Sequence, residues 1–248
     1  MTALLELRGV SRRFGGLRAV NNVTLSVGKG RVVGLIGPNG AGKTTLVNLI
    51  TGMLKPSAGE IWFNNQRIDR LPPYRIARLG VSRTFQIVQP FPEMTALENV
   101  TAAALFAGGI ASLSEARDFA QIQLDRVGLG GQGKVLASSL SLGQRKRLEF
   151  AKSLATKPMI LLLDEVNAGL HGSELDEAIA LIRSLAQDGL TLVIIEHLMK
   201  VVVSLCDEIA VLHHGELIAN GPAQDVINDR SVIEAYIGER YLKRRAAN

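Results

Sequence analysis

The stretch Gly37-Pro38-Asn39-Gly40-Ala41-Gly42-Lys43-Thr44 decides the fold. It fits the pattern G-x-x-x-x-G-K-S/T at every fixed position. The apolar run at residues 31–36 reads as a strand leading into the loop, and residues 44–54 read as a helix leaving it. That context gives the composition a physical purpose. Glycines let the backbone curl until several amide N–H groups point inward, where they can surround a polyphosphate. The start of the following helix adds positive potential at the same place. Lys43 supplies charge for the β- and γ-phosphates, the Thr44 hydroxyl can ligate Mg²⁺, and Thr45 follows in the same first turn.

Outward from the loop, the pattern is α/β. Leu5 and Leu7, then Val23, Leu25 and Val27, alternate with polar residues as half-buried strands do, with turns at Gly15-Gly16 and at residues 28–30. A short strand is expected at residues 60–63. Residues 94–155 are rich in Ala, Leu, Glu, Gln and Arg, with glycine breaks at 108–109 and 128–133, and read as helical. Short apolar strands at 159–163 and 191–195 flank a helix at 174–187, the mark of a parallel sheet covered on both faces. Residues 208–212 and 216–219, split by His213-His214-Gly215, read as a hairpin, and residues 223–241 as a helical tail.

Composition excludes several classes. The chain has 248 residues and 47% of them are hydrophobic, enough for a sizeable core and too apolar for disorder. One cysteine, Cys206, excludes an internal disulfide framework and a cysteine-based zinc site; His213 and His214 near it match no zinc spacing and read as turn residues. The mean hydropathy is +0.19. The longest apolar candidate for a membrane span, residues 100–113, is interrupted by Thr101, Gly108, Gly109 and Ser112 and falls short of the roughly 18 residues needed. Residues 1–9 carry Glu6 and Arg8 and show no signal-peptide apolar region, so the chain reads as intracellular. A net charge of +5 is a solvated surface and no argument for nucleic acid.

Two further stretches carry chemistry. Met159-Ile160-Leu161-Leu162-Leu163-Asp164-Glu165 is an apolar strand ending in two acids. Such a strand delivers its C-terminal residues to the sheet edge where ligands sit. Asp164 is placed to hold Mg²⁺. Strand neighbours alternate sides, so Glu165 faces away from Asp164 and can act as general base toward a water in line with the γ-phosphate. Leu140-Ser141-Leu142-Gly143-Gln144 precedes a basic helix, where a hydroxyl, a glycine amide and a helix start form a second anion site. Two phosphate-binding helix starts for one nucleotide are explained if the second serves a neighbouring subunit.

At this point the sequence resembles the ATP-binding cassette family over nearly its whole length, residues 5–241. The fold implied is a P-loop NTPase core with a mixed, mainly parallel sheet, an N-terminal antiparallel β subdomain and an inserted helical subdomain, with the core at 1–93 and 156–248 and the insert at 94–155. The resemblance implies that Phe14 stacks on adenine, that Gln86 in Arg83-Thr84-Phe85-Gln86 senses Mg²⁺, and that His197 contacts the γ-phosphate. It further implies that Ser141, Gly143 and Gln144 complete the ATP site of a second, identical or paralogous cassette facing head to tail. Residues Phe85 to Phe91 suit a docking surface for membrane permease subunits.

Within the family, Arg83-Thr84-Phe85-Gln86, Glu196-His197-Leu198-Met199-Lys200 and Ala235-Tyr236-Ile237-Gly238-Glu239 look like the ATPase subunit of importers for branched-chain and other hydrophobic amino acids. That implies permease partners, an indirect periplasmic binding protein, and a place at the cytoplasmic face of the inner membrane. The lipopolysaccharide-export ATPase is the nearest rival. A soluble repair or translation cassette would need a second cassette or a coiled-coil insert, and a small-molecule P-loop kinase would not need residues 140–144. Three positions depart from the family pattern: Leu142 for glycine, Val166 for proline and His171 for Asp or Asn. The basic tail at residues 243–245 reads as a solvated terminus.

Overall fold

A computed structural model describes residues 3–84, 90–170, 172–196 and 199–236. In chain order the elements are β1 (Ala3–Phe14), β2 (Leu17–Gly28), β3 (Val32–Ile36), α1 (Lys43–Ile50), β4 (Ala58–Phe63), β5 (Gln66–Arg67), α2 (Pro73–Arg78), β6 (Val81–Thr84) and α3 (Ala96–Phe106). There follow α4 (Leu113–Arg126), α5 (Leu142–Ala155), β7 (Ile160–Asp164), α6 (Ser173–Gln187), β8 (Thr191–Ile195), α7 (Met199–Leu205), β9 (Glu208–His213), β10 (Glu216–Pro222) and α8 (Ala223–Ile227). They form two compact units, Met1–Leu71 with Thr191–Asn248, and Pro72–Leu190.

The first unit holds an antiparallel sheet in the order β2-β1-β4-β5, as the alternation at Leu5, Leu7, Val23, Leu25 and Val27 predicts; all five side chains are buried. Beside it, β3 pairs in parallel with β8 and with β9, and β9 turns back into β10. Every residue of β3 and β8 is buried, which is why both read as unbroken apolar runs. The β9–β10 turn consists of His214 (φ 48°) and Gly215 (φ 83°), so His214 is the turn residue expected, whereas His213 is the last residue of β9, paired with Glu216. Cys206 is buried, and burial, with a smaller push from Asp207, raises its thiol to about 12, so it stays protonated and inert.

The second unit holds the parallel pair β6–β7 and the mutually packed helices α3, α4 and α5. Each of these helices starts on a hydroxyl: Thr95 accepts from the Glu98 N–H, Ser112 from Glu115 and Ser141 from Gln144. The Thr95–Glu98 pair is a reciprocal capping box, and the Thr95 N–H and hydroxyl hold the Glu98 carboxyl below its usual value.

Three details depart from expectation. The helix after the loop ends at Ile50 and does not reach residue 54: the Thr51 hydroxyl donates back to the Val47 carbonyl and the chain turns off at Gly52, φ 73°. The tail helix breaks after α8, where Asp229 accepts from both the N–H and the hydroxyl of Ser231 and restarts a helix over residues 230–236. Strand β6, and with it β5 and α2, has no sequence counterpart above. Its residues Val81-Ser82-Arg83-Thr84 carry no apolar alternation and become a strand by pairing with β7.

Just after β5, buried Asp69 accepts from the Arg67 guanidinium (2.8 Å) and from the Ile61 N–H of β4 (3.3 Å). Burial by itself would raise its carboxyl; the Arg67 and Ile61 hydrogen bonds outweigh that and hold it below its ordinary value. A depressed carboxyl contributes stability above the ordinary carboxylate range and loses it as pH falls through the depressed value. Asp69→Asn should therefore cost about 1–2 kcal/mol at neutral pH. Thermal melts from pH 7 to pH 3 should show the gap to the parent closing on acidification; a gap independent of pH would contradict the assignment.

Candidate functional site

In the first unit, β3 delivers the glycine-rich loop to the start of α1. Its shape is enforced by close backbone neighbours. A Cβ on Gly37 (φ 150°) would stand 2.1 Å from the Leu212 carbonyl oxygen of β9. One on Gly42 (φ 103°) would stand 2.4 Å from the Ala19 carbonyl oxygen of β2. The Gly215 N–H, in the β9–β10 turn, donates to the Ala41 carbonyl at 2.9 Å. Both glycines are thus required by geometry.

Helix α1 begins with Gly42 at its N-cap and no side-chain cap, in contrast to α3, α4 and α5. Its first amide donors and its dipole therefore face the loop with no side chain capping them, which is the arrangement an anion uses. The Lys43 ammonium is buried against the loop and donates to the carbonyls of Gly37 (2.7 Å) and Pro38 (2.9 Å). Pro38 and Ala41 are buried, Asn39, Gly40 and Thr44 are exposed, and Thr45 is half-buried. In the same unit, Phe14 ends β1 with 43% of its surface exposed, and the Arg12 guanidinium lies over its ring at 4.7 Å. Arg12 is itself tied to the Lys55 carbonyl (2.8 Å), so the exposed ring is braced from one side.

In the second unit, β7 is buried along its length and ends on Asp164. The Asp164 carboxylate is paired with the Arg83 guanidinium of β6 at 2.5 Å, and both side chains are nearly inaccessible. Removing one partner of such a pair costs about 3–5 kcal/mol, because the other charge is left buried. Glu165 lies beyond the strand at φ 48°. This corrects the alternation reading: a left-handed turn, and no pleat, sets the direction of the half-buried Glu165 side chain.

Helix α5 starts at the second anion-site stretch. The Ser141 hydroxyl accepts from the Gln144 N–H (3.2 Å) and the Gln144 side chain accepts from the Ser141 N–H (2.9 Å). A hydroxyl that accepts in a cap still has its own proton to donate, so Ser141 can hold its helix and meet an anion together. Ser141 and Leu142 are exposed, and Gly143 lies so close to the Glu174 carboxylate that a Cβ there would be 2.7 Å from its oxygen. Ser141, Gly143, Gln144 and Glu174 border a cavity of about 490 Å³ between α5 and α6. Lys146, buried on the next turn, donates to the Val166 carbonyl (2.8 Å) and also to that of Ala168, so α5 grips the loop after Glu165. Sequence reading missed Arg83, Lys146 and Arg12, since each acts through another residue. Gln86, His171 and His197 lie outside the described residues, as does Phe85.

A strand–glycine loop–helix unit with an uncapped helix start and a buried lysine defines the class of P-loop nucleotide-binding proteins. Residues 20–168 match the family described as ABC transporter, and the chain belongs to that family. It is 44% identical to the high-affinity branched-chain amino acid transport ATP-binding protein LivG of Escherichia coli, over 95% of this chain and 98% of that one. Its fold is similar to an ATP-binding cassette of an ABC transporter in its ADP conformation, with 33% identity and a TM-score of 0.86 over 96% of this chain and 100% of that one. It is also similar to a dimeric ATP-binding cassette in a post-hydrolysis state bound to ADP and Pi, with 28% identity and a TM-score of 0.78 over 88% and 98% of the two chains. The fold is therefore that of the ABC ATPases, and the protein binds and hydrolyses ATP. Among the described residues no helix is long and apolar enough to cross a membrane.

Lys43→Ala removes the charge in the loop and should weaken ATP binding itself by about 10-fold or more, since hydrogen bonds to charged groups contribute about 1.5–3 kcal/mol each. Equilibrium titration with labelled ATP checks this; unchanged affinity would take Lys43 out of the cradle.

Proposed function

We propose that this chain is the ATP-hydrolysing subunit of an importer for branched-chain or other hydrophobic amino acids. The observation that carries the reading is the likeness to the Escherichia coli subunit across nearly the whole of both chains. Deleting the gene, or replacing Glu165 by Gln, should reduce radiolabelled leucine uptake by cells carrying the cognate permease to background. Uptake at the parental rate would remove the amino acid assignment, and a lipopolysaccharide-export defect in its place would favour the rival reading.

In this reading residues 37–45 hold the phosphates and Phe14 stacks on adenine. Oxygen donors suit Mg²⁺, which neutralises phosphate charge when bound; Thr44, Gln86 and Asp164 are its candidate ligands. The Asp164 carboxylate, buried at a strand end among hydrogen-bonding groups, has the chemistry such a ligand needs. Glu165 takes the proton of the attacking water, and His197 meets the γ-phosphate. Ser141, Gly143 and Gln144 serve the nucleotide of a second cassette, identical or paralogous. The exposed Ser141 and Leu142 are consistent with a surface that another chain covers. Residues 94–155 form the helical subdomain that, with residues 85–91, faces the permease at the cytoplasmic side of the membrane. A periplasmic binding protein would deliver the solute to that permease. ATP closes such a dimer and hydrolysis releases it, a ligand-driven two-state element.

Glu165→Gln should keep ATP binding, slow hydrolysis by about 10²–10⁴ and accumulate ATP-bound dimers. Steady-state phosphate release at the parental rate would remove Glu165 from its role. Ser141→Arg should abolish hydrolysis while the monomer still binds ATP; loss of monomer binding would contradict the assignment of Ser141 to the neighbouring nucleotide.

A further inference from the structure

Arg83 stands on β6 opposite Leu162 of β7, in parallel register. Leu162 and Asp164 share one face of their strand, so a long side chain at position 83 reaches Asp164 on the diagonal. There its guanidinium engages Oδ2 of Asp164 at 2.5 Å. The neighbouring Thr84 hydroxyl accepts from the Asp164 N–H at 3.3 Å, so β6 fixes both the backbone and the carboxylate of this one residue. On its other side Arg83 lines a cavity of about 300 Å³ with Glu149, Lys152 and Thr156. Glu149 and Lys152 form their own ion pair there (2.6 Å), a polar wall that reduces the cost of holding a guanidinium out of water.

We propose that Arg83 is a positioning residue for Asp164: it presets the carboxylate orientation and so determines how much Mg²⁺ the protein needs to bind nucleotide. Arginine suits the task because its planar guanidinium presents a rigid fork of donors in a fixed direction. Partners that orient a metal ligand typically contribute 10- to 100-fold to metal affinity. The inference rests on the reading of Asp164 as a metal-holding carboxylate.

The test is a titration of ADP binding to the full chain across a range of Mg²⁺ concentrations, with no turnover involved. Asp164→Asn should raise the half-saturating Mg²⁺ concentration; if it does not, the Asp164 reading fails and the inference with it. Arg83→Ala should raise that concentration by about 10-fold or more while ADP binding without metal stays near the parental value. Arg83→Lys should recover part of the shift, and Arg83→Ala should add nothing in the Asp164→Asn background. Arg83→Gln, which keeps a polar but uncharged and shorter side chain, serves if Arg83→Ala does not fold, with the same expected direction. An unchanged Mg²⁺ requirement beside a shifted Asp164→Asn would overturn the inference alone. A lowered requirement would also overturn it, by making Arg83 a competitor of the cation. Equal losses with and without metal would reduce Arg83 to a structural residue.

Discussion

A polyphosphate concentrates negative charge, and a protein can hold it only with donors fixed in place before it arrives. On the proposed reading, the loop of residues 37–44 meets that constraint with backbone. Gly37 and Gly42 sit where a Cβ would strike the carbonyls of Leu212 and Ala19. The loop is thereby locked between β9 and β2, and the helix start behind it is left without a side-chain cap. The Lys43 ammonium spans the loop through the Gly37 and Pro38 carbonyls, bonds it can exchange for phosphate oxygens.

The same logic of paired charge governs the second unit. Asp164 is a carboxylate in a buried strand end, and Arg83 answers its charge. Lys146, likewise buried, is satisfied by the carbonyls of the loop that follows Glu165. Through these contacts α5, which begins at Ser141, and β7, which ends at Asp164, are tied into one body with the loop between β7 and α6. A change felt at Ser141 therefore has a short covalent and hydrogen-bonded route to Glu165.

Much of this was legible in residue order. Strands β3, β7 and β8 are apolar runs because both of their faces are covered, and the phosphate loop is specified by residue types with few substitutes. The start of α5 after Leu140-Ser141 reads as an anion site, and the structure adds the Ser141–Gln144 capping box there. What escaped reading depends on tertiary pairing. Strand β6 is polar at Ser82 and Arg83 and becomes a strand only beside β7. The direction of Glu165 follows from a left-handed turn that no alternation announces. Arg83 was visible only as a letter beside Gln86; its partner lies 81 residues away. The resemblance to the cassette family supplied roles for Gln86 and His197 that no local pattern carries.

The account stands or falls on whether the α5 start completes a neighbour's nucleotide site. Mixing two inactive variants, Lys43→Ala and Ser141→Arg, tests this directly by ATPase rate, under conditions in which the parent chain hydrolyses ATP by itself. A mixed dimer contains one site built from an intact loop of one chain and an intact Ser141 of the other. The account predicts that activity returns on mixing. Two variants that remain inactive together would contradict it.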